Sequence, residues 1–583
     1  MLYPIQSRKR IRIDLSGIWN AAVDKENTGI DNQWFVNPPK QMELATNASW
    51  NDQTVDWEFH NYVGSVWYWR TFYVPDTWRN KRIVLRIGSA NYRACVWVND
   101  KSLGEHEGGY MPFEFDIGDL VSYSDENRLV IRVNNELSEE TIPQGNLSPD
   151  YGGVALGRVG NFPDVHYDFF PYGGIHRPVV IYCTERDYIE DITVRTAIRG
   201  SQGIVRFHIA CVADKAAKAI ITMAGNNVEK ALSPSGELAG EIIIDPCEFW
   251  SPQTPHLYDL DISLLDAGGK LLDDYTLPVG VRTIKVEGLK LLLNGQPIYL
   301  KGFGRHEDLH IIGRGLSFPF MVKDFNLMKW ANANSFRTSH YPYSEEIMRM
   351  ADRWGFMVID ETAANTISLA AANEKTLQEH RRQLRELYQR DKNHPSVIMW
   401  SISNESELFD KRSKPYFKTL LDDMRSLDDT RPITLVSQAN FDKEAGALQG
   451  YDIICYNNYP AWYGNCGRLD KIEQLLEEQL DGYFDRYKKP IMLSEFGADA
   501  IAGFHALPAE MWSEEYQKIT VEKICSVLRK KKYIVGEHVW NFADFKTGQH
   551  TARPIYNHKG VFTRDRQPKM VAFLLKKLWE QKP

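Results

Sequence analysis

Short runs that alternate apolar and polar positions fill the first part of the chain: Val66-Trp67-Tyr68-Trp69-Arg70-Thr71-Phe72, Ile83-Val84-Leu85-Arg86-Ile87, Ala94-Cys95-Val96-Trp97-Val98 and Leu129-Val130-Ile131-Arg132-Val133. A period of two puts successive side chains on opposite faces of a sheet, so these runs predict antiparallel strands, with Asn99-Asp100 as a turn signal. Together they predict a jelly-roll β-sandwich as an N-terminal domain over 1–184. One stretch, 137–174, loses the period and is rich in Gly, Pro and Asp; it ends in the polar-aromatic cluster Tyr167-Asp168-Phe169-Phe170-Pro171-Tyr172. So long a loop is expected either to pack as an Ω-loop or to reach into a neighbouring site. A second β pattern follows, with runs at 192–198, 204–212, 219–223, 238–244, 257–265 and 272–279. Roughly seven short strands in about 100 residues predict an immunoglobulin-like β-sandwich over 185–285, without evident chemistry.

Beyond 286 strands alternate with amphipathic helices, the pattern of a parallel α/β architecture. Candidate strands lie at 298–302, 335–339, 356–360, 397–403, 433–437, 453–457, 491–494 and 535–541. Helical spacing appears in Met321/Phe325/Met328, Ile347/Met350/Trp354, Phe417/Leu421/Met424 and Ile472/Leu476/Leu480. Eight strands with intervening helices predict a (β/α)8 TIM barrel over 286–583, so the chain is a multidomain β plus α/β protein.

Composition narrows the function classes. The 583 residues are 43% hydrophobic and 25% charged, with no apolar run long enough to span a membrane. A net charge of -8 argues against nucleic acid or an anionic membrane as partner. Seven cysteines without regular spacing read as reduced thiols, with neither a zinc site nor another metal or cofactor implied. The N-terminal segment carries no apolar signal-peptide core, so a cytoplasmic location is expected.

The chemistry sits where apolar strands end. Val397-Ile398-Met399-Trp400 breaks off in Asn404-Glu405, and Pro490-Ile491-Met492-Leu493-Ser494 breaks off in Glu495. Other strand ends carry Arg305-His306-Glu307-Asp308, Arg337-Thr338-Ser339-His340-Tyr341, Asp360-Glu361, Asn457-Asn458-Tyr459 and Trp540-Asn541. Either glutamate alone could cap a strand or pair with an arginine. Polar residues converging on one rim from seven strands are hard to explain by packing, and that rim is the active face of a TIM barrel. Two carboxylates flanking one cavity suit glycosidic bond cleavage.

At these residues the sequence resembles glycoside hydrolase family two. The strings Gly302-Phe303-Gly304-Arg305-His306-Glu307-Asp308, Arg337-Thr338-Ser339-His340-Tyr341-Pro342-Tyr343 and Val539-Trp540-Asn541-Phe542-Ala543-Asp544-Phe545 resemble most closely the β-glucuronidases of that family. The resemblance implies a retaining mechanism, with Glu405 as acid/base of raised pKa and Glu495 as an ionised nucleophile supported by Arg337. It also implies that Tyr459 bonds Glu495, that Asn404 holds the sugar 2-hydroxyl, that His340 and Trp540 line the sugar pocket, and that Asp168 reaches sugar hydroxyls from the long N-terminal loop. After the last strand come Arg553, Asn557 and Lys559, two cations and an amide in the register that suits a uronate carboxylate. A small-molecule or oligosaccharide glucuronide is the implied substrate, and a homo-oligomer, dimer or tetramer, the implied assembly. A β-galacturonidase, another β-glycosidase of the family and a non-catalytic carbohydrate-binding protein are the competing readings.

Two departures stand out. The family's common Asn-Glu-Pro is Asn404-Glu405-Ser406 here, and the segment 362–373 after the third barrel strand is short. That short segment implies a pocket without a covering loop.

Overall fold

The computed structural model describes residues 1–145, 162, 163, 165, 167–439, 446–549 and 551–580. Part of the long N-terminal loop therefore lies outside the described residues.

In the N-terminal sandwich a six-stranded antiparallel sheet packs on a four-stranded one. Inward residues such as Tyr68, Leu85, Val96 and Ile131 fill its core. Strand Ser65–Phe72 is apolar on both faces for a reason. Its outward Trp67 and Trp69 are buried with Trp97 beneath Trp34 and Phe35, Trp67 and Trp97 stacking at 5.3 Å. The second domain pairs a three-stranded sheet with a four-stranded one. The fourth of its seven strands, Asn226–Ala231, had no sequence signal because it is an exposed edge without an apolar face.

Eight parallel strands close the barrel: Leu300–Gly304, Ser335–Arg337, Met357–Glu361, Val397–Asn404, Ile433–Gln438, Ile454–Asn457, Ile491–Glu495 and Ile534–Val539. The first begins two residues later than its apolar run predicts. Pro297-Ile298 belongs instead to a small antiparallel sheet built from Ile284–Glu287, Lys290–Leu293 and Gln296–Ile298. Ile284, Leu291 and Leu293 from that sheet pack against Leu300, Met357, Met399 and Met492. They plug the barrel floor where the strands begin, leaving the opposite rim for chemistry. Helix Glu345–Trp354 shows how the outer ring is set. Ser344 caps its N-terminus, two glutamates complement the helix dipole, and Gly355 ends it at φ 72°.

Buried ion pairs lock the N-terminal domain to this rim. Arg564 donates to Asp52 (2.7 Å) and to the Tyr172 hydroxyl (2.9 Å), and also contacts Asp308. Lys546 donates to the other Asp52 oxygen at 2.7 Å. Phe162 and Gln549 exchange backbone hydrogen bonds, so the N-terminal loop is pinned beside the barrel mouth.

Candidate active site

The rim encloses a cavity of about 740 Å³ lined by Tyr167, Asp168, His340, Asn404, Glu405, Tyr459, Glu495, Trp540 and Arg553, among others. That size fits one or two sugar units. The long N-terminal loop thus delivers Asp168 to the barrel's cavity. Trp540 is carried by the last strand's end and stacks on His340, with ring centroids 5.0 Å apart. Gly304 makes room for it, since a Cβ there would lie 2.5 Å from the indole.

Glu495 ends the seventh strand and is buried. Arg337 Nη2 contacts its Oε1, and the Tyr459 hydroxyl donates to Oε2 at 2.6 Å. His340 Nε2 lies 3.7 Å from Oε1. Burial pushes the Glu495 carboxyl up, to about 8, and the charge of Glu405 adds to the shift; Arg337 and Tyr459 pull the other way. The resemblance implied a readily ionised group here. Burial is the largest cause of the difference, and Arg337 divides its donors: its Nη1 donates to both oxygens of Glu361, at 2.7 and 2.8 Å.

Glu405 is only partly buried and has different neighbours. Asn457 donates to Oε1 at 2.8 Å and Gln438 to Oε2 at 2.7 Å. An amide can turn either its donor or its acceptor end to a partner, so these neighbours serve a carboxyl in both protonation states. Glu405 also holds a left-handed backbone, φ 48°, which costs about 1–3 kcal/mol in a non-glycine residue. Flanking hydrogen bonds enforce it: Glu405 N donates to Val436 O, Asn404 N to Ala364 O and Thr366 N to Asn404 O. Ser406, where the family commonly has proline, ties the turn with its side chain. Its hydroxyl pairs with Ser403 at 2.6 Å and accepts from Ile367 N at 3.2 Å.

Asn404 sits between the two glutamates' partners. Its Oδ1 accepts from Asn457 (3.1 Å) and Arg337 (3.4 Å), while its Nδ2 donates to Asn365 at 2.8 Å.

The three residues after the last strand converge on one side of the cavity. Arg553 donates to both oxygens of Asp168, at 3.2 and 2.9 Å, and Asn557 donates to Asp168 at 2.8 Å. Lys559 is fully buried one layer back, in contact with Asp499 and donating to the Tyr463 hydroxyl at 2.9 Å. Arg553 donates to that same hydroxyl at 2.6 Å. Burial works against the Asp499 charge, but Lys559 and Arg553 outweigh it and hold the carboxyl below its ordinary range.

Sequence reasoning missed Asp499, Tyr463, Asn457 as a partner of Glu405, and the electrostatic part of Glu361. Asp499 follows Glu495 by one short turn and Tyr463 follows Tyr459 by the same spacing; an acid and a phenol just past two strand ends were the available signal.

Family comparison agrees with the architecture. Residues 13–185 match the glycosyl hydrolases family 2 sugar binding domain, 188–282 match glycosyl hydrolases family 2, and 284–582 match its TIM barrel domain. A β-glucuronidase of Paenibacillus borealis is 42% identical over 590 residues, covering 99% of this chain and 98% of that one. The solved β-glucuronidase of an uncultured Clostridium species superposes with a TM-score of 0.92 at 39% identity, covering 100% of both chains. The Ruminococcus gnavus β-glucuronidase, solved in complex with D-glucuronic acid, gives 0.91 at 35% identity over 99% of each chain. With three consecutive domains matched and a barrel rim carrying two carboxylates, the chain belongs to glycosyl hydrolases family 2.

Proposed function

We propose that this chain is a retaining exo-β-D-glucuronidase, hydrolysing β-glucuronides to glucuronic acid and an aglycone. The observation that carries the reading is the pair of buried cations, Arg553 and Lys559, beside the cavity that holds Glu405 and Glu495. A uronate carboxylate is the part of the substrate that such a pair selects. Relatives named β-glucuronidase over nearly the full chain point the same way.

In this reading Glu495 attacks the anomeric carbon while Glu405 gives its proton to the departing glycosidic oxygen. The C1–O bond breaks and a glucuronyl ester on Glu495 forms. Glu405 then takes a proton from water, the water oxygen attacks C1, and Glu495 leaves as a carboxylate. Arg337 and Tyr459 stabilise Glu495 as the charge returns to it. Asn404 holds the 2-hydroxyl, His340 and Trp540 wall the ring, and Asp168 takes sugar hydroxyls. Asn557, Arg553 and Lys559 hold the carboxylate. A panel of aryl β-D-glucuronide, galacturonide, galactoside and mannoside tests the assignment. Glucuronide leads the neutral galactoside and mannoside by at least about tenfold in kcat/KM, the weight of one charge-assisted contact. A galacturonide lead would move the substrate class, and no turnover on any would remove it.

The pH profile carries a further expectation. Only ionised Glu495 attacks, so kcat/KM falls as pH drops through its pKa. Burial raises that pKa, so the acid limb lies above the range of an ordinary glutamate, near 4.3. Initial rates on an aryl glucuronide across the pH range read it directly.

The short segment 362–373 reaches the cavity only through Asn365 and Thr366, which line it, and then turns away among the described residues: Ser368 N donates to Gln144 and Leu369 N to Glu407. The aglycone side is walled instead by the amides Gln438, Asn458 and Gln479. Extended substrates such as oligosaccharides ending in glucuronate are therefore turned over. Release confined to small aryl glucuronides would contradict this. No helix among the described residues is long and apolar enough to cross a membrane. All seven cysteines are free thiols, which fits a cytoplasmic enzyme, and sedimentation tests the homo-oligomer that the family resemblance implies.

A further inference from the structure

Glu361, the last residue of the third barrel strand, is fully buried and has no part in the chemistry above. Both its oxygens accept from Arg337 Nη1, Oε2 accepts from the Ser401 hydroxyl at 2.6 Å, and His340 Nδ1 lies 3.0 Å from Oε1. Two of these partners reach onward to one atom. Arg337 Nη2 contacts Glu495 Oε1, and His340 Nε2 lies 3.7 Å from it. A guanidinium and an imidazole therefore each bridge Glu361 and Glu495, making a closed four-membered ring of side chains.

We propose that Glu361 is a positioning residue that fixes Arg337 and His340 against Glu495 and, by holding part of their positive charge, sets how readily Glu495 keeps a proton. A purely structural acid would need only to satisfy its own partners. Glu361 shares its partners with the proposed nucleophile, so its charge is felt there. The inference rests on the reading of Glu495 as nucleophile.

Electrostatics around the ring agree. Burial works against a charge on Arg337, and Glu361 first, then Glu495, outweigh it. Burial also works against a charge on Glu361, yet Arg337 together with His340 and Ser401 holds its carboxyl below the ordinary range. Glu495 keeps the smaller share of the guanidinium and is raised by burial. Other titratable neighbours are Glu405 and Tyr459 on the Glu495 side, Cys455 on the Glu361 side, whose thiol burial pushes up to about 12, and His306 and His538 beside Arg337, both held well below the usual imidazole range first by burial.

Glu361→Gln keeps the shape and removes the charge, leaving Arg337 to Glu495. The readout is the acid limb of kcat/KM, followed in parallel by the pH dependence of covalent labelling with an activated 2-deoxy-2-fluoro-glucuronide, the labelled residue being mapped by mass spectrometry. In Glu361→Gln the limb moves to lower pH by about one unit or more, the size of one close charge. Glu361→Asp keeps the charge but draws it back by one methylene, and its limb falls between wild type and the Gln variant. Thermal unfolding confirms that each variant folds; should Glu361→Gln not fold, the Asp variant alone decides by the same shift. A limb that stays at the wild-type position with label on Glu495 overturns the proposal and leaves the glucuronidase reading intact. Label on another residue in the wild type removes the nucleophile assignment and this proposal with it.

Discussion

Glu495→Ala lowers turnover of every β-glucuronide by about 10⁴–10⁶-fold, the scale reached when a covalent nucleophile is removed. Alanine cannot form the ester with C1, and no other described carboxylate stands in the same contact with Arg337 and Tyr459. The fold survives, because the backbone role of this position is kept: its carbonyl still accepts from Asn458 N, 3.0 Å in the native chain. Arg337 also keeps both oxygens of Glu361. The space vacated admits a small anion, so azide restores turnover and yields the α-glucuronyl azide, by single displacement with inversion. Glu405→Gln behaves differently. Aryl glucuronides with good leaving groups need little protonation, so their first step continues and the glucuronyl-enzyme accumulates as a burst. Activity within tenfold of wild type in Glu495→Ala, or a β-azide product, would falsify the assignment.

The second large effect concerns the carboxylate. An ammonium has three donors, and in Lys559 two go to Asp499 and Tyr463 among the described residues; the proposed carboxylate contact would take the third. A charge-assisted bond is worth about 1.5–3 kcal/mol. At about 1.4 kcal/mol per tenfold, Lys559→Ala cuts kcat/KM on glucuronides by about ten- to a hundredfold. Trace activity on the neutral glucoside is nearly unaltered, because a CH2OH group makes no use of the cation. The substitution also strands Asp499, which retains His558 N at 2.7 Å and Arg553 only at 3.7 Å. Breaking a buried pair from one side costs about 3–5 kcal/mol, so Tm falls as well. Adding Asp499→Asn removes the stranded charge, restores most of the Tm, and leaves the glucuronide-to-glucoside ratio low. A loss of equal size on both substrates would mean that Lys559 supports the fold instead of reading the acid.

The barrel was legible because each of its strands is a short apolar run that stops at polar residues. Val397–Asn404 and Ile491–Glu495 are buried along their whole length, as strands covered on both faces must be. That local rule also exposed Glu405 and Glu495 as ends worth attention. It failed at the barrel floor, where Pro297-Ile298-Tyr299-Leu300 is one apolar run shared by two strands of different sheets. It failed again at Asn226–Ala231, an edge strand with nothing to bury.

Charge partnerships were not legible in the spacing of residues; the pairing of Arg337 with Glu495 came only through the family resemblance. Arg337 and Glu495 are separated by 158 positions, and Arg553 and Asp168 by 385, so only closure of the barrel and docking of the N-terminal domain bring them together. Periodicity along the chain therefore determined the elements, their order and the rim on which chemistry had to sit, since burial of alternate or spaced side chains is a local property. The sharing of Arg337 between Glu361 and Glu495, and the placing of Lys559 behind Tyr463 against Asp499, were decided by the tertiary structure alone. Coulomb interaction depends on distance in space and on burial, and neither is written in the spacing of residues along the chain.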